Sequence, residues 1–554
     1  MDATNKNLTK SFVFVVAAVA ALNNCNLGYD MGIVAGVGPI LQKQSEFEVS
    51  DVQLEIWIGA LDISSLVGAF SSNYLADRFG RKGCMALSEV LFIVSVLGMA
   101  CAQNYATLIA FRCLCGVAVG LGLTIGPLYI GEIAPCHLRG KLISWSEFAT
   151  NIGLLVAFCA GYTFSGLDNT VSWRLMLGLG ALLPCVLLLC LYYMPESPRW
   201  LIVQGQEEKA EHVLKQVYNH ETNTIRMVRE IKEGIAIEHE LFQQGGWYAI
   251  FHPTTAVLYA MLAAVGIAGI QQLSGIEAIT LYFMFIFQRA GLESADTYIY
   301  LILFGLCKLV TVYIAGLYFD NPLYGRRKLL LATGIGVAVC MFIFCLLFAF
   351  PMSSASSNIT IVTMFAYVIC YSVGYGPGAW VVMLEVLPMQ IRAKGLSIAM
   401  LVNRLIATLL SGSFLTLVNS MTYSGYFGFF LVVTTACVVY VYFLIPETQG
   451  RSLEQMSTLF KRTKRNSGMI TDSDHGGIET GSSLHFSSSG RSSIHNNSTS
   501  RNNYDIVRSV LHASTAPSVA VTDNDGDTER VEEECKEGVY LEEVVTFPFH
   551  PQQN

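Results

Sequence analysis

The sequence predicts an all-α membrane protein with twelve transmembrane helices in two six-helix halves. Three observations carry that expectation. Charged residues make up 14% of the 554-residue chain, against roughly 25% in ordinary globular proteins. Hydrophobic residues reach 53%, and the mean hydropathy is +0.48. The apolar residues also fall into long runs, where a transmembrane barrel would show short alternating segments. Fifteen prolines and 48 glycines do not fit a collagen-like or globally disordered chain. A net charge of −8 with a pI near 5.7 offers no basic surface, so no nucleic-acid partner is expected. The partner implied by the composition is the lipid bilayer.

A spanning helix needs about 20 mostly apolar residues, because the hydrocarbon core is about 30 Å thick. Such runs lie near 12–36, 56–76, 83–103, 107–131, 142–163 and 173–194. A second set lies near 255–288, 297–319, 328–350, 360–387, 393–418 and 425–445. Lys6 and Lys10 ahead of the first run resemble a signal peptide. The run continues through Asn23, Asn24 and Asp30 without a small-residue cleavage site, so it is read as a retained span. The domain reading is therefore an N-terminus 1–11, a first half 12–194, a linker 195–254, a second half 255–456 and a tail 457–554. Within the linker, Glu207–Tyr218 and Ile225–Phe242 have the charge and periodicity of surface helices. The tail is rich in Ser, Asn and Gly, with 14 acidic and 9 basic residues, and is expected to be disordered. Its serines are candidates for phosphorylation and the tail for cytosolic partners.

Lys/Arg asymmetry sets the expected orientation. Arg78, Arg81 and Lys82 follow the second span, Arg139 and Lys141 the fourth, Arg326, Arg327 and Lys328 the eighth, and Arg392 and Lys394 the tenth. Both termini and the linker helices are therefore expected in the cytosol. The sequon Asn358-Ile359-Thr360 then falls outside, open to glycosylation, while Asn496 and Asn497 stay silent. The fifteen cysteines have no zinc-site spacing and read as small buried hydrophobes. No metal, cofactor or catalytic constellation is expected, and the chain does not read as an enzyme.

The halves repeat each other. Glu132-Ile133-Ala134-Pro135 with Arg139 is echoed by Glu385-Val386-Leu387-Pro388 with Arg392. Pro195-Glu196-Ser197-Pro198-Arg199 is echoed by Pro446-Glu447-Thr448, and Asp77 with Gly80-Arg81-Lys82 by Asp320 with Gly325-Arg326-Arg327. Parallel repeats of this kind belong to transporters, with the substrate site between the halves near the midplane. These motifs, with Gly28-Tyr29-Asp30, Gln271-Gln272-Leu273-Ser274-Gly275 and Gly376-Pro377 with Trp380, resemble the sugar porter family of the major facilitator superfamily over about residues 12–456. Asn73 departs from the family's usual Gly. The second copy, Asp320–Gly325, is longer and lacks the Arg after Asp, which puts the tightness of its latch in doubt.

An acid inside a spanning helix is costly and reads as functional. Asp30 is such an acid, and Arg112 stands in the same half; the resemblance implies that the two form a proton-coupling pair. The bland alternative is a water-capped interfacial Asp with a snorkelling Arg. The resemblance places the sugar site on Gln271, Gln272, Trp380 and Asn403. Amides suit vicinal hydroxyls and an indole suits a sugar face; interhelical hydrogen bonding is the alternative. Glu147, Glu277, Lys308 and Arg404 are charges at membrane depth for which mutual pairing is expected. They resemble the plant-type polyol/monosaccharide transporters and imply contact with highly hydroxylated substrates; the alternative is a structural ion-pair network beside a hexose site. The resemblance implies gating by Asp77, Arg78, Arg81, Glu132, Arg139, Glu196, Arg199, Glu385, Arg392 and Glu447. The expected function is a proton symporter of polyols, cyclitols and monosaccharides, at the plasma membrane or, second, the vacuolar membrane. A proton-independent hexose facilitator and a transporter-like nutrient sensor are the competing readings.

Overall fold

A computed structural model describes residues 2–448, apart from 45–48, 136–137, 139–141, 144, 219–220, 244–249, 293, 320–324, 352 and 388–390. The expected disordered tail lies outside the described residues. Among those residues eleven apolar helical runs are long enough to cross a membrane. One is double, giving twelve spans.

Helices α1 (Asp2–Leu22) and α2 (Cys25–Lys43) make the first span, broken at Asn23 and Asn24. Helix α3 (Asp51–Ala100) is the double one. It starts on a Ser50–Gln53 capping box and bends at Gly80, whose φ of 83° only glycine adopts readily. Then follow α4 (Tyr105–Ile133), α5 (Trp145–Phe164), and α6 (Asn169–Gly178) with α7 (Leu182–Tyr193), which share one span across a 3-10 turn.

Between the halves lie α8 (Pro198–Val203), α9 (Glu207–Tyr218) and α10 (Glu221–Gln243). The second surface helix begins four residues earlier than its apolar periodicity suggested. In α9 the buried face is Ala210, Val213, Leu214 and Val217, an i, i+3, i+4, i+7 stripe.

The second half comprises α11 (Thr255–Leu273), α12 (Ile276–Leu281), α13 (Phe283–Arg289), α14 (Ser294–Phe319), α15 (Arg326–Ala349), α16 (Ser354–Val373), α17 (Tyr375–Val386), α18 (Arg392–Ser411) and α19 (Phe414–Leu444). Its seventh span breaks at Gly275 and its tenth at Gly374. The last connection departs from expectation. Helix α18 stops at Ser411, and α19 already starts at Phe414, bending at Thr422. Apolarity runs through this turn, so hydropathy alone could not mark it. The Asn358 sequon also changes meaning. It sits within α16, and fully buried Thr360 gives its hydroxyl to the Ser356 carbonyl at 2.9 Å. That is a helix turn, whereas a glycosylation acceptor belongs on a surface loop.

The halves meet where α2 packs on α12 and α13, α3 on α18 and α19, and α5 on α14. We call the end carrying Arg81 and Arg326 the motif end, and the opposite one the far end.

Candidate substrate and proton site

Asp30 is sunk between α2, α4 and α5. Close packing seals one side of the site: a Cβ at Gly28 would lie 1.8 Å from the Thr150 carbonyl oxygen, so the two backbones meet directly. Arg112 Nη1 donates to Asp30 Oδ1 at 2.5 Å, and the two side chains are 1% and 2% exposed. Arg112 is further fixed by its Nε on the Trp57 carbonyl at 3.1 Å and by its guanidinium over the Trp57 indole at 4.7 Å. Asp30 is held more loosely: the Cys115 thiol reaches the same Oδ1 at 3.7 Å, and Oδ2 has no partner. Arg112 is thus held by more contacts than Asp30.

The polar cluster of the second half sits where two helices break. Gln271 Nε2 donates to the Gly376 carbonyl at 3.0 Å, beside the Gly374 break. Asn403 Nδ2 donates to Gln271 Oε1 at 2.9 Å and to the Ala268 carbonyl at 2.8 Å, and its Oδ1 accepts from Gln272 Nε2 at 3.2 Å. Gln272 Oε1 is buried without a donor. Ser274, at the other break, gives its hydroxyl to the Gln271 carbonyl, and its own carbonyl accepts from Tyr367 at 2.9 Å. Freed backbone groups at both breaks are therefore re-satisfied, as a bilayer requires. Trp380 is half-buried against the core.

The intramembrane charges also come together. Arg404 Nη1 lies 3.7 Å from Glu277 Oε1, and Lys308 is within electrostatic reach of Glu147 and Glu277. A third acid joins them that the sequence reading passed over. Asp62 of α3 lies 3.6 Å from the same Nη1 and accepts from the Ser411 hydroxyl at 3.2 Å. A lone acid inside the run 56–76 was its signal, the same one that marked Asp30.

At the motif end each half holds one joint of the same design. Arg81 makes two 2.9 Å bonds to Glu132, while the Glu196 carboxylate accepts the backbone N–H of Arg81 at 2.9 Å and of Lys82 at 3.2 Å. Burial pushes the Glu196 carboxyl above the usual range, opposed by the N–H bonds from Ser197, Lys82 and Arg81. Ser197 ties Glu132 to the same joint. In the second half Arg326 pairs with Glu385, and Glu447 accepts the N–H of Arg326 at 2.8 Å and of Arg327 at 3.2 Å. The altered second motif thus closes its joint through Arg326, although 320–324 lie outside the described residues. Asp77 is mostly exposed and pairs with Arg81 at 3.2 Å within its own helix. Arg78 departs from the expected pairing of helix ends: it is exposed, reaches Tyr74 at 3.4 Å and covers Phe79. Arg199 is half-buried on α8. Arg139 and the Arg392 side chain lie outside the described residues.

This joint, repeated in two six-helix halves with buried polar clusters, agrees with the comparisons. The family profile "Sugar (and other) transporter" matches residues 16–460. The chain belongs to the sugar transporter family. Probable polyol transporter 4 of Arabidopsis thaliana is 33% identical over 82% of this chain and 86% of that protein. Probable polyol transporter 6 of the same plant is 34% identical over 81% and 94%. Among solved structures, the proton:xylose symporter XylE bound to 6-bromo-6-deoxy-D-glucose is 26% identical, with a TM-score of 0.67, over 82% of this chain and all of that one. An inward-open XylE from E. coli gives 0.68 at 25% identity, over 81% and 99%. The chain is a multi-pass membrane transporter of the major facilitator fold, not an enzyme.

In this sugar transporter the far end is closed by cross-half contacts that motif reading missed. Glu55, 2% exposed, accepts the N–H of Thr416 at 2.7 Å and its hydroxyl at 2.5 Å, so a carboxylate of α3 caps the N-terminus of α19. Asn419 donates to Asp51 at 2.8 Å, and the Tyr298 hydroxyl donates to the Gly36 carbonyl at 3.3 Å. A Cβ at Gly59 would lie 3.5 Å from Gly412 Cα, so the halves touch backbone to backbone.

Proposed function

We propose that the transporter is a proton-coupled symporter of polyols, cyclitols and monosaccharides working by alternating access. The observation that carries this reading is the buried Asp30–Arg112 pair, in which Asp30 Oδ2 is left free to take a proton. Protonation cancels the acid's charge, releases Arg112 to its Trp57 contacts alone, and lowers the cost of rearranging a buried charged pair. Gln271, Gln272 and Asn403 offer amide groups to vicinal hydroxyls, and Trp380 offers an apolar face. Glu147, Glu277, Lys308 and Arg404 add charge-assisted hydrogen bonds suited to a flexible, many-hydroxyl substrate. Asp77, Arg78, Arg81, Glu132, Arg139, Glu196, Arg199, Glu385, Arg392 and Glu447 form the gate at the motif end.

The Lys/Arg bias supports a cytosolic motif end and cytosolic termini. With that orientation the closed far end makes this the inward-facing side of the cycle. We place the protein at the plasma membrane, with the vacuolar membrane second, and divide the chain into an N-terminus 1–11, halves 12–194 and 255–456, a linker 195–254 and a cytosolic tail 457–554.

The test is uptake into proteoliposomes of sorbitol, mannitol, myo-inositol, glucose, fructose and xylose, with and without an imposed pH gradient. Gradient-driven accumulation of a polyol, abolished in Asp30→Asn, is expected. Uptake indifferent to the gradient and unchanged by Asp30→Asn removes the proton; glucose uptake with neither polyol transport nor competition removes the polyol.

A further inference from the structure

Asp30 is not the only deeply buried acid of the first half. Glu89, on the second arm of α3, is fully buried. Asn26 Nδ2 donates to its Oε2 at 2.7 Å, and Oε1 has no donor. The cations on the helices around it are committed elsewhere. Arg112 of α4 serves Asp30 and the Trp57 carbonyl. On α3 itself, Arg81 serves Glu132 and Asp77, Lys82 the Tyr192 carbonyl, and Arg78 reaches Tyr74. Arg174 of α6 serves the Ala100 and Ala102 carbonyls. Lys43 of α2 is exposed at the opposite end of that helix from Asn26. The other ionisable groups on these helices are Cys25, Tyr29 and Asp30 of α2, Tyr105, Cys113, Cys115, Tyr129 and Glu132 of α4, Cys185, Cys190, Tyr192 and Tyr193 of α7, and Asp51, Glu55, Asp62, Tyr74, Asp77 and Cys84 of α3. None is a counter-ion for a carboxylate. An ionised carboxylate buried with one amide donor and no cation is expensive, so Glu89 is accounted for as the acid rather than its anion.

Its position supplies the purpose. Asn26 and Asp30 are four residues apart on α2, one turn along the same face. Three oxygens of this patch, Asp30 Oδ2, Asn26 Oδ1 and Glu89 Oε1, are buried acceptors without donors. One such oxygen is ordinary; three together call for donors, which a proton on Glu89 and ordered water supply. Toward the motif end the polar run continues, with Asn23 Nδ2 donating to the Ser88 hydroxyl at 3.3 Å. Gly122 leaves room there, since a Cβ on it would lie 2.2 Å from Asn23 Oδ1.

We propose that Glu89 is a second proton-binding site, protonated in this far-end-closed state, which relays protons between Asp30 and the motif end. Glu89 first releases the proton of its Oε1–H to an ordered water, and water lining Asn23 and Ser88 carries it on to the motif end. The proton on Asp30 Oδ2 then passes through intervening water to Glu89 Oε1. Asp30 is left ionised beside Arg112, and only O–H bonds break and form. The relay rests on the proton coupling proposed above; the proton on Glu89 does not.

Two measurements on the full-length reconstituted protein test the two parts. Infrared difference spectra, wild type minus Glu89→Gln at neutral pH, should contain the C=O stretch of one protonated carboxyl, and Asp30→Asn should retain that band. No carboxyl band in the difference overturns the proposal. Glu89→Gln keeps an acceptor for Asn26, so folding is not at issue, and Glu89→Asp restores a carboxyl. With whichever sugar or polyol of the panel the wild type accumulates, Glu89→Gln should slow gradient-driven uptake by about tenfold or more. Exchange at equal pH should stay unchanged, and Glu89→Asp should recover part of the uptake. Equal losses in both modes, or in neither, overturn the relay. A wild type without gradient-driven accumulation removes the coupling and the relay together, while the spectrum still decides the proton on Glu89.

Discussion

The two ends of the molecule are held by different kinds of bond. At the motif end each joint lies within one half: Arg81 with Glu132 and Glu196, Arg326 with Glu385 and Glu447. Toward the far end the bonds cross between halves: Glu55 to Thr416 and Asp51 to Asn419 at the end itself, and Asp62 to Arg404 deeper, at membrane depth. In this far-end-closed state the first kind ties neither half to the other, so the gate proposed at the motif end is released. The second kind has to break before the far end opens. The motif end is therefore built as two stiff elbows, and the far end as a latch.

The elbows are where a single change should do most damage. Arg81 and Glu132 are 11% and 6% exposed, so Arg81→Ala leaves a buried carboxylate without its cation. Breaking such a pair costs about 3–5 kcal/mol. Thermal unfolding in detergent should show a large drop in Tm, and uptake should be lost. Arg326 and Glu385 are 16% and 27% exposed, so water can replace part of what Arg326→Ala removes. Its drop in Tm should be clearly smaller. Equal drops would mean that the two elbows are not graded by burial.

The latch is next. Glu55→Gln keeps the shape but gives up the charge of a buried helix cap; hydrogen bonds to charged groups are worth about 1.5–3 kcal/mol. The expected outcome is a shift toward far-end-open protein. Hydrogen exchange should quicken at the amides of 414–420, with the Arg81 and Arg326 joints as protected as before. Exchange that quickens at both ends alike would make Glu55 a general stabiliser. Asp62→Asn should act in the same direction but more weakly, because its 3.6 Å contact with Arg404 is long and Arg404 keeps Glu277.

The sequence showed one end much better than the other. The elbows were legible because their residues recur as motifs in both halves, and spacing alone matched Glu196 to Glu447. Asp30 and Arg112 stood out as charges in apolar helices. The latch repeats nothing: Glu55, Asp62, Ser411 and Thr416 come from different halves, and their pairing exists only once α3 lies against α18 and α19. Asp62 and Glu89 carried the same signal as Asp30, an acid within an apolar run, and were hidden by being counted as ordinary members of spans. The start of α19 was illegible for another reason. Its local signal is short, Gly412 at the end of α18 and Ser413 at the N-cap of α19, and the side-chain cap itself comes from Glu55 on another helix.

That start also contains the one non-glycine residue with positive φ among the described residues, Thr422, at φ 69° and ψ 163°. This is a region almost reserved for glycine, and a β-branched residue there carries strain of about 1–3 kcal/mol. The bend sets the direction of the α19 segment that Glu55 caps, so strain at Thr422 and the cap act on the same eight residues. Thr422→Gly releases the strain but frees the unfolded chain by about 1 kcal/mol, which cancels part of the gain. The net effect should be the smallest of the series: Tm unchanged or slightly raised. If Thr422 stores energy that opens the latch, the same variant should slow exchange at 414–420, opposite in sign to Glu55→Gln, and the double variant should fall between the two. Faster exchange in Thr422→Gly would mean that the bend supports the latch instead of opposing it.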